Sequence, residues 1–177
     1  MNRTYVALDT EFTGLNPQRD DIIEIGLVKF KGHQVLDTFS SLVRARRPLP
    51  YKIQLLSGIS QPEINGAPTL SSLQGNILSF IKNLPLVGHT IEMDLRFWNS
   101  HGLALSNTAI DTFELATILL PNLERYSLSH LAEVLGIKLA EHHRALADAM
   151  ATKDLFLALL DHAARCDSAI AKEITNF

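Results

Sequence analysis

The sequence predicts an α/β fold in which helices pack on a mixed sheet. Three observations carry that expectation. The first 43 residues hold three strand-like runs, two of them separated only by Lys31-Gly32-His33. Beyond residue 69, short apolar segments of strand character alternate with stretches whose apolar residues recur at helical spacing. No repeat, low-complexity tract or internal linker interrupts the 177 residues, a length that suits one domain with a sizeable core. An antiparallel start followed by strand–helix alternation gives a sheet of mixed sense.

The opening strand spans residues 5–11, YVALDTE. Residues two apart on a strand share a face. Asp9 and Glu11 therefore point the same way above Tyr5 and Ala7, while Val6, Leu8 and Thr10 point into a core. Thr13-Gly14 breaks the strand. Residues 21–31 alternate, Ile23, Ile25 and Leu27 against Glu24, Gly26 and Val28; residues 34–43 do likewise, and the pair forms a hairpin. Pro48 and Pro50 mark a loop, the short apolar segment IQLLSGI follows, and Gln61-Pro62 and Gly66-Ala67-Pro68 punctuate a further loop. Over 69–83, Leu70, Leu73, Ile77, Phe80 and Ile81 step by three and four, which predicts a helix stopped by Pro85. Residues 86–89 and 108–111 are short strand candidates. Helices are expected over 94–100, ended by Gly102, and over 113–120, ended by Pro121, with Asp111 as N-cap of the second. Ser127 caps a helix that closes at Gly136. The last helix runs over 144–164, with Leu146, Met150, Leu155, Phe156, Leu159 and Leu160 on its apolar face.

Hydrophobic residues make up 46% of the chain and charged residues 20%, proportions of a soluble globular protein. The single cysteine, Cys166, has no internal partner, which fits a reducing compartment and a cytoplasmic location. The N-terminal MNRTYVALDTE meets a carboxylate too early for a signal-peptide apolar region. No apolar run approaches the ~18 residues of a membrane span. The formal net charge of −3 argues against a strongly basic nucleic-acid binder, but setting aside four metal-holding acids leaves +1. The charge balance is therefore neutral on nucleic acid. Arg44, Arg46 and Arg47 form one local basic cluster and read as a solvated loop.

Chemistry concentrates at Asp9 and Glu11. Two carboxylates on one face repel each other and lose solvation when buried. A fold keeps such a pair together when a cation sits between them. A strand end with two solvated acids is the alternative, and the stretch by itself fits both. Two later segments share one spacing: HTIEMD over 89–94 and HRALAD over 143–148 are each H-x4-D. The acids thus fall at a strand end, a helix start and the first turns of a second helix. All-oxygen donors suit Mg²⁺ or Mn²⁺ rather than zinc. Gly14 stands without a GxGxxG, so a dinucleotide fold lacks its fingerprint. Ser57, Ser60 and Cys166 have no base at a suggestive spacing. His142 and His143 are neighbours that do not converge on one ion in a helix.

DTEFTGL, VGHTIEMDLRFW and HHRALADAMAT resemble, in that order, the three motifs of the DnaQ-like (DEDDh) 3′–5′ exonucleases. IDTFELATILLP and YSLSHLAEVLGI resemble stretches between those motifs. The resemblance runs from about residue 5 to about residue 160. Within the family it is strongest to the exonuclease domains joined to bacterial DinG-like helicases, with the epsilon subunit of DNA polymerase III a second relative. It implies an RNase H-like α/β fold over 1–165, with a mixed five-stranded sheet of three antiparallel strands and then parallel additions. Residues 166–177 would be a tail or the start of a linker. It also implies two divalent ions, Mg²⁺ or Mn²⁺. Asp9, Glu11 and Asp148 would hold the first, Asp9 would bridge to the second, and Asp94 would orient a water in the outer shell. His143 matches the family's general base. Thr10, Phe12, Thr13 and His89 are the candidate substrate contacts. His89 by itself reads more as a structural hydrogen-bonding residue than as a ligand, and Phe12 either stacks on a terminal base or packs in the core.

The chemistry fits that resemblance. Two ions about 3.5–4 Å apart stabilise both the attacking and the leaving oxygen of an in-line displacement. A histidine near neutral pKa takes the water's proton, worth about 10²–10⁴-fold. On a helix His143 and Asp148 would lie about 140° apart. His143 is therefore expected on the loop before the helix, and mobile until substrate binds. Three positions depart from the family pattern. Thr90 stands where Asn is common, Met93 where Phe usually precedes the aspartate, and Phe12 where Thr is common. The first two predict looser packing around Asp94. The expected function is a 3′–5′ exonuclease on single-stranded DNA ends that releases nucleoside 5′-monophosphates. The alternatives are an exoribonuclease acting on RNA or short oligoribonucleotides, and a non-catalytic end-binding module of a helicase or polymerase assembly.

Overall fold

A computed structural model of the protein describes residues 3–139 and 143–165. His142, Cys166 and the expected tail over 166–177 lie outside them. Three strands open the chain, β1 (Thr4–Phe12), β2 (Ile22–Lys31) and β3 (Gln34–Leu42). β2 and β3 join through Gly32-His33, with Lys31 opposite Gln34. Gly32 takes a φ of 53°, the left-handed backbone that a two-residue hairpin needs. β4 (Leu86–Gly88) and β5 (Ala109–Asp111) complete a sheet of order β3-β2-β1-β4-β5. β1 pairs antiparallel with β2 and parallel with β4, and β4 runs parallel to β5. This is the mixed five-stranded sheet expected from the sequence.

β1 is central and buried on both faces, as strands with parallel neighbours usually are. Val6 and Leu8 face a core with Ile25, Leu27, Ile77, Phe97 and Trp98, built with α3 (Leu70–Ile81) and α4 (Ile91–Ser100). Tyr5 and Ala7 face a second core with Val28, Phe30, Ala149, Phe156 and Leu160. That core lies under α7 (Ala145–Arg165). Each large apolar side chain so buried contributes about 1.5–3 kcal/mol. The acids of β1 therefore share their face with a packed helix and are not at an open edge.

Two helices stand where the sequence reads as a short apolar segment and a loop. α1 (Tyr51–Ser57) covers the IQLL segment, and α2 (Gln61–Gly66) covers the stretch punctuated by Gln61-Pro62 and Gly66. α2 forms because Ser60 and Glu63 make a reciprocal capping box and Pro62 sits in the first turn, where its missing N–H costs nothing. α4 starts three residues ahead of expectation, at Ile91. α5 (Thr112–Leu119) follows Asp111 directly, and α6 (Leu128–Leu135) runs from the Ser127 cap to a left-handed Gly136. Of the basic cluster, Arg46 pairs with buried Asp21 at 2.5 Å and Arg47 with Asp20 at 3.9 Å. Segment 44–47 is thereby tied to the loop after β1, not simply solvated. Among the described residues, no helix is long and apolar enough to cross a membrane.

Candidate active site

The alternation of β1 lines up Tyr5, Ala7, Asp9 and Glu11 under α7, with the acids at the strand's C-terminal end. Asp148 lies in the first turn of α7. One carboxylate oxygen each from Asp9, Glu11 and Asp148 lie within 4.8 Å of one another, and all three residues are half-buried. The positive end of the α7 dipole favours an anion there.

α7 reaches this close because β2 carries Gly26 opposite Asp9. A Cβ on Gly26 would lie 2.2 Å from the carbonyl carbon of Ala145 and 2.3 Å from its oxygen. Glu24, two residues away on the same face, is 2% exposed. It accepts from Arg144 Nε at 3.2 Å, from Arg144 Nη2 at 3.1 Å and from the Ala145 amide at 3.2 Å.

Asp94 approaches from the other side of the sheet, on α4, whose Phe97 and Trp98 are fully buried. Thr10 turns its side chain to that side. Its hydroxyl accepts from Trp98 Nε1 at 3.0 Å and hydrogen-bonds the Asp94 carboxylate. Thr90, at the N-cap of α4, has a φ of 61° and gives no side-chain cap. Asp111 at the end of β5 supplies it, accepting from the Thr90 amide at 2.9 Å and the Ile91 amide at 3.1 Å. The same carboxylate accepts from Phe113 N at 2.8 Å and caps α5. One acid thus caps two helices.

Crowding sets the electrostatics. Burial first, then Asp94, Glu11 and Asp148, push the Asp9 carboxyl well above its ordinary range. Burial, then Asp148 and Glu24, push Glu11 to about 7, with Arg144 opposing. Burial raises Asp94 to about 7 against the Thr10 hydrogen bond. Four carboxyls thus disfavour one another's charge, which a divalent cation would relieve.

The remaining expected residues have definite places. His143 sits two residues ahead of α7, exposed, with a left-handed φ of 59°. His89 places one ring nitrogen 2.8 Å from the Tyr126 carbonyl and the other 3.0 Å from Thr112 Oγ1; burial lowers its pKa. Thr13 Oγ1 accepts from the Asp21 amide at 2.8 Å. The polar side-chain atoms of Thr10, Thr13 and His89 are thus engaged inside the fold. Phe12, half-buried beyond a register shift at the end of β1, stacks on Phe97 with centroids 3.9 Å apart.

A sequence profile of the family described as Exonuclease (RNase T) matches residues 6–156. The epsilon subunit of DNA polymerase III from Aquifex aeolicus is 31% identical over 166 residues, which cover 91% of this chain and 82% of that protein. The chain belongs to the DnaQ-like exonuclease family. The PolC-type DNA polymerase III of Caldanaerobacter subterraneus is 38% identical over 161 residues, 89% of this chain but 12% of that protein. The chain therefore spans about an eighth of the PolC-type relatives. Two solved structures share the fold. Exonuclease X in complex with 5′ overhanging duplex DNA has a TM-score of 0.77 at 24% identity, covering 95% of this chain and 98% of its own. The nuclease domain of 3′hExo, a DEDDh member bound to rAMP, has a TM-score of 0.78 at 19% identity, covering 90% and 92%.

Sequence reasoning missed two residues that shape this site, Glu24 and Gly26, and the second role of Asp111. Glu24 left a signal. A charged residue amid DIIEIGLV is buried only with a partner, and Arg144 is that partner. Gly26 sat in the same run without a turn to justify it, the mark of a close backbone approach.

Proposed function

We propose that this chain is a metal-dependent 3′–5′ exonuclease that hydrolyses single-stranded DNA from its 3′ end and releases nucleoside 5′-monophosphates. The convergence of Asp9, Glu11 and Asp148 carries the reading. Three crowded carboxylates offer oxygen donors only, a set that fits Mg²⁺ or Mn²⁺. Asp9, Glu11 and Asp148 would hold the first ion and Asp9 would bridge to a second. When bound, such ions stabilise charge on the attacking and leaving oxygens of an in-line displacement. Asp94, fixed by Thr10 and by the Asp111 cap, orients a water from the opposite side of the sheet. His143, ahead of α7, takes the proton of the attacking water. The exposed part of Phe12 stacks on the terminal base, while Thr10, Thr13 and His89 shape the floor below it. The same reading takes 1–165 as the catalytic domain of a cytoplasmic protein. The named relatives favour association with a DNA polymerase over a helicase.

The test is a denaturing-gel time course on a 5′-labelled single-stranded DNA oligomer with Mg²⁺ or Mn²⁺, beside a matched RNA. A ladder shortening from the 3′ end, abolished by EDTA and by Asp9→Ala, supports the reading. Undiminished turnover in EDTA, or tight binding of the end without product, overturns it. Faster digestion of the RNA moves the substrate to RNA.

A further inference from the structure

We propose that Glu24 and Arg144 form a positioning clasp that holds the segment from His143 to Asp148 against the acids of β1, and so sets the affinity of the metal centre. The inference rests on the metal-centre reading above. Its geometry is independent of any ion.

Glu24 lies on the face of β2 that α7 covers, and Glu11 of β1 stands directly opposite it in the strand register. A carboxylate this buried is held only by charge-assisted hydrogen bonds. Arg144 supplies them from Nε and Nη2, and the Ala145 amide adds a third. These three donors come from the two residues that follow His143 and lead into the turn carrying Asp148. The donors to Glu24 and the ligand Asp148 thus belong to one six-residue segment. Gly26 leaves out a Cβ that would collide with the backbone of Ala145 and Leu146 and keep the segment off the sheet. Glu24 fixes it laterally through a planar fork whose donors have one geometry. Neither residue is offered as a metal ligand, and neither needs to touch substrate. Groups that orient metal ligands typically change metal affinity or activity by about 10–100-fold when removed.

The experiment compares wild type, Glu24→Gln, Arg144→Met, Arg144→Lys and the double variant Glu24→Gln/Arg144→Met, with Glu133→Gln as an exposed-acid control. Two readouts are taken below the unfolding transition. The first is amide hydrogen exchange over 143–150 in metal-free protein. The second is the Mn²⁺ dissociation constant by calorimetry, with kcat and KM on a DNA oligomer alongside. Glu24→Gln is expected to speed exchange in that segment and to weaken Mn²⁺ by about 10–100-fold. kcat should fall in step and KM stay near wild type. The double variant should be no worse than either single change, because both break one interaction. Arg144→Lys should recover part of the loss. Unchanged exchange overturns the clasp. Faster exchange with wild-type Mn²⁺ affinity overturns its link to the metal centre while wild-type hydrolysis leaves the function standing. Wild-type protein that binds no Mn²⁺ removes the function and the clasp's effect on metal affinity, whereas exchange in metal-free protein still decides whether the clasp holds the segment.

Discussion

Gly26→Ala is the most informative single change in the fold. Gly26 has no positive φ that would penalise alanine. A glycine-to-alanine change at a compatible backbone usually stabilises by about 0.4–1 kcal/mol through the unfolded state. The structure reverses that sign here. The new Cβ would meet the Ala145 carbonyl carbon at 2.2 Å and the Leu146 nitrogen at 2.3 Å, against an ordinary carbon contact of about 3.5–4 Å. Those atoms are backbone at the start of a 21-residue helix and cannot swing aside as a side-chain tip does. The first turn of α7 must retreat by more than about 1 Å, at an overpacking cost of about 1–3 kcal/mol. The net is a loss of stability, read as a fall of several degrees in Tm at about 2–4 °C per kcal/mol for a chain of this size. Asp148 retreats with the turn. A displacement of about 1 Å in a catalytic arrangement costs about 100-fold in rate, so kcat should fall far more than the stability change explains. Gly75→Ala is the control: it lies inside α3 with nothing within 4 Å of its Cβ, and should gain up to about 1 kcal/mol. Circular dichroism melts with nuclease rates at 25 °C read both. A Gly26→Ala protein with wild-type Tm and wild-type rate would refute the idea that α7 is seated by the absence of that one carbon.

Three further outcomes follow from the site. Because Asp9, Glu11 and Asp94 are raised in the folded state, the stability they contribute is full below the unfolded carboxyl range and is lost as pH rises through about 7. Metal-free protein should therefore weaken between about pH 4 and pH 8, by on the order of 3 kcal/mol for Glu11 as an upper bound given its partial solvation, and Mg²⁺ should restore it; a flat urea midpoint across that range in EDTA contradicts this. Asp111→Ala strips the caps of α4 and α5 and should cost about 2–3 kcal/mol, with Asp111→Asn recovering part of it; a denaturation midpoint matching wild type would show that the caps carry no load. Thr90→Asn should raise Tm by a few degrees, since Asn tolerates the left-handed backbone that a β-branched residue resists by about 1 kcal/mol or more; an unchanged or lower Tm counts against strain at that residue.

What the sequence showed and what it hid divide along a physical line. Strands β1 and β2 and helices α3, α6 and α7 were legible because the apolar residues they bury are written into their sequence, and β3, largely exposed, was legible from the tight turn that pairs it with β2. Asp9 and Glu11 stood out because one strand face fixes their direction locally, whereas Asp94 and Asp148 stood out through the resemblance of their motifs to the exonuclease family. α2 was not, because Pro62 reads as a breaker until Ser60 and Glu63 are recognised as a capping box. The left-handed backbone at Thr90 was hidden as well, so its departure from Asn looked like a packing change near Asp94 rather than strain in the chain. Glu24 meets Arg144 across 120 residues, and no local pattern announces a contact of that range. The same holds for Asp111, which reads as the cap of its own helix and gives no sign that it reaches back to Thr90 and Ile91. For Glu24 and Asp111 the hidden part is a tertiary contact that seats an element whose existence was already clear.

The most direct test of the metal centre is an anomalous difference map from crystals soaked with Mn²⁺ and a nucleoside 5′-monophosphate. The account predicts a manganese peak about 2.1 Å from oxygens of Asp9, Glu11 and Asp148, with the nucleotide's phosphate beside it. A map with full-occupancy manganese elsewhere and nothing among those three carboxylates would contradict it.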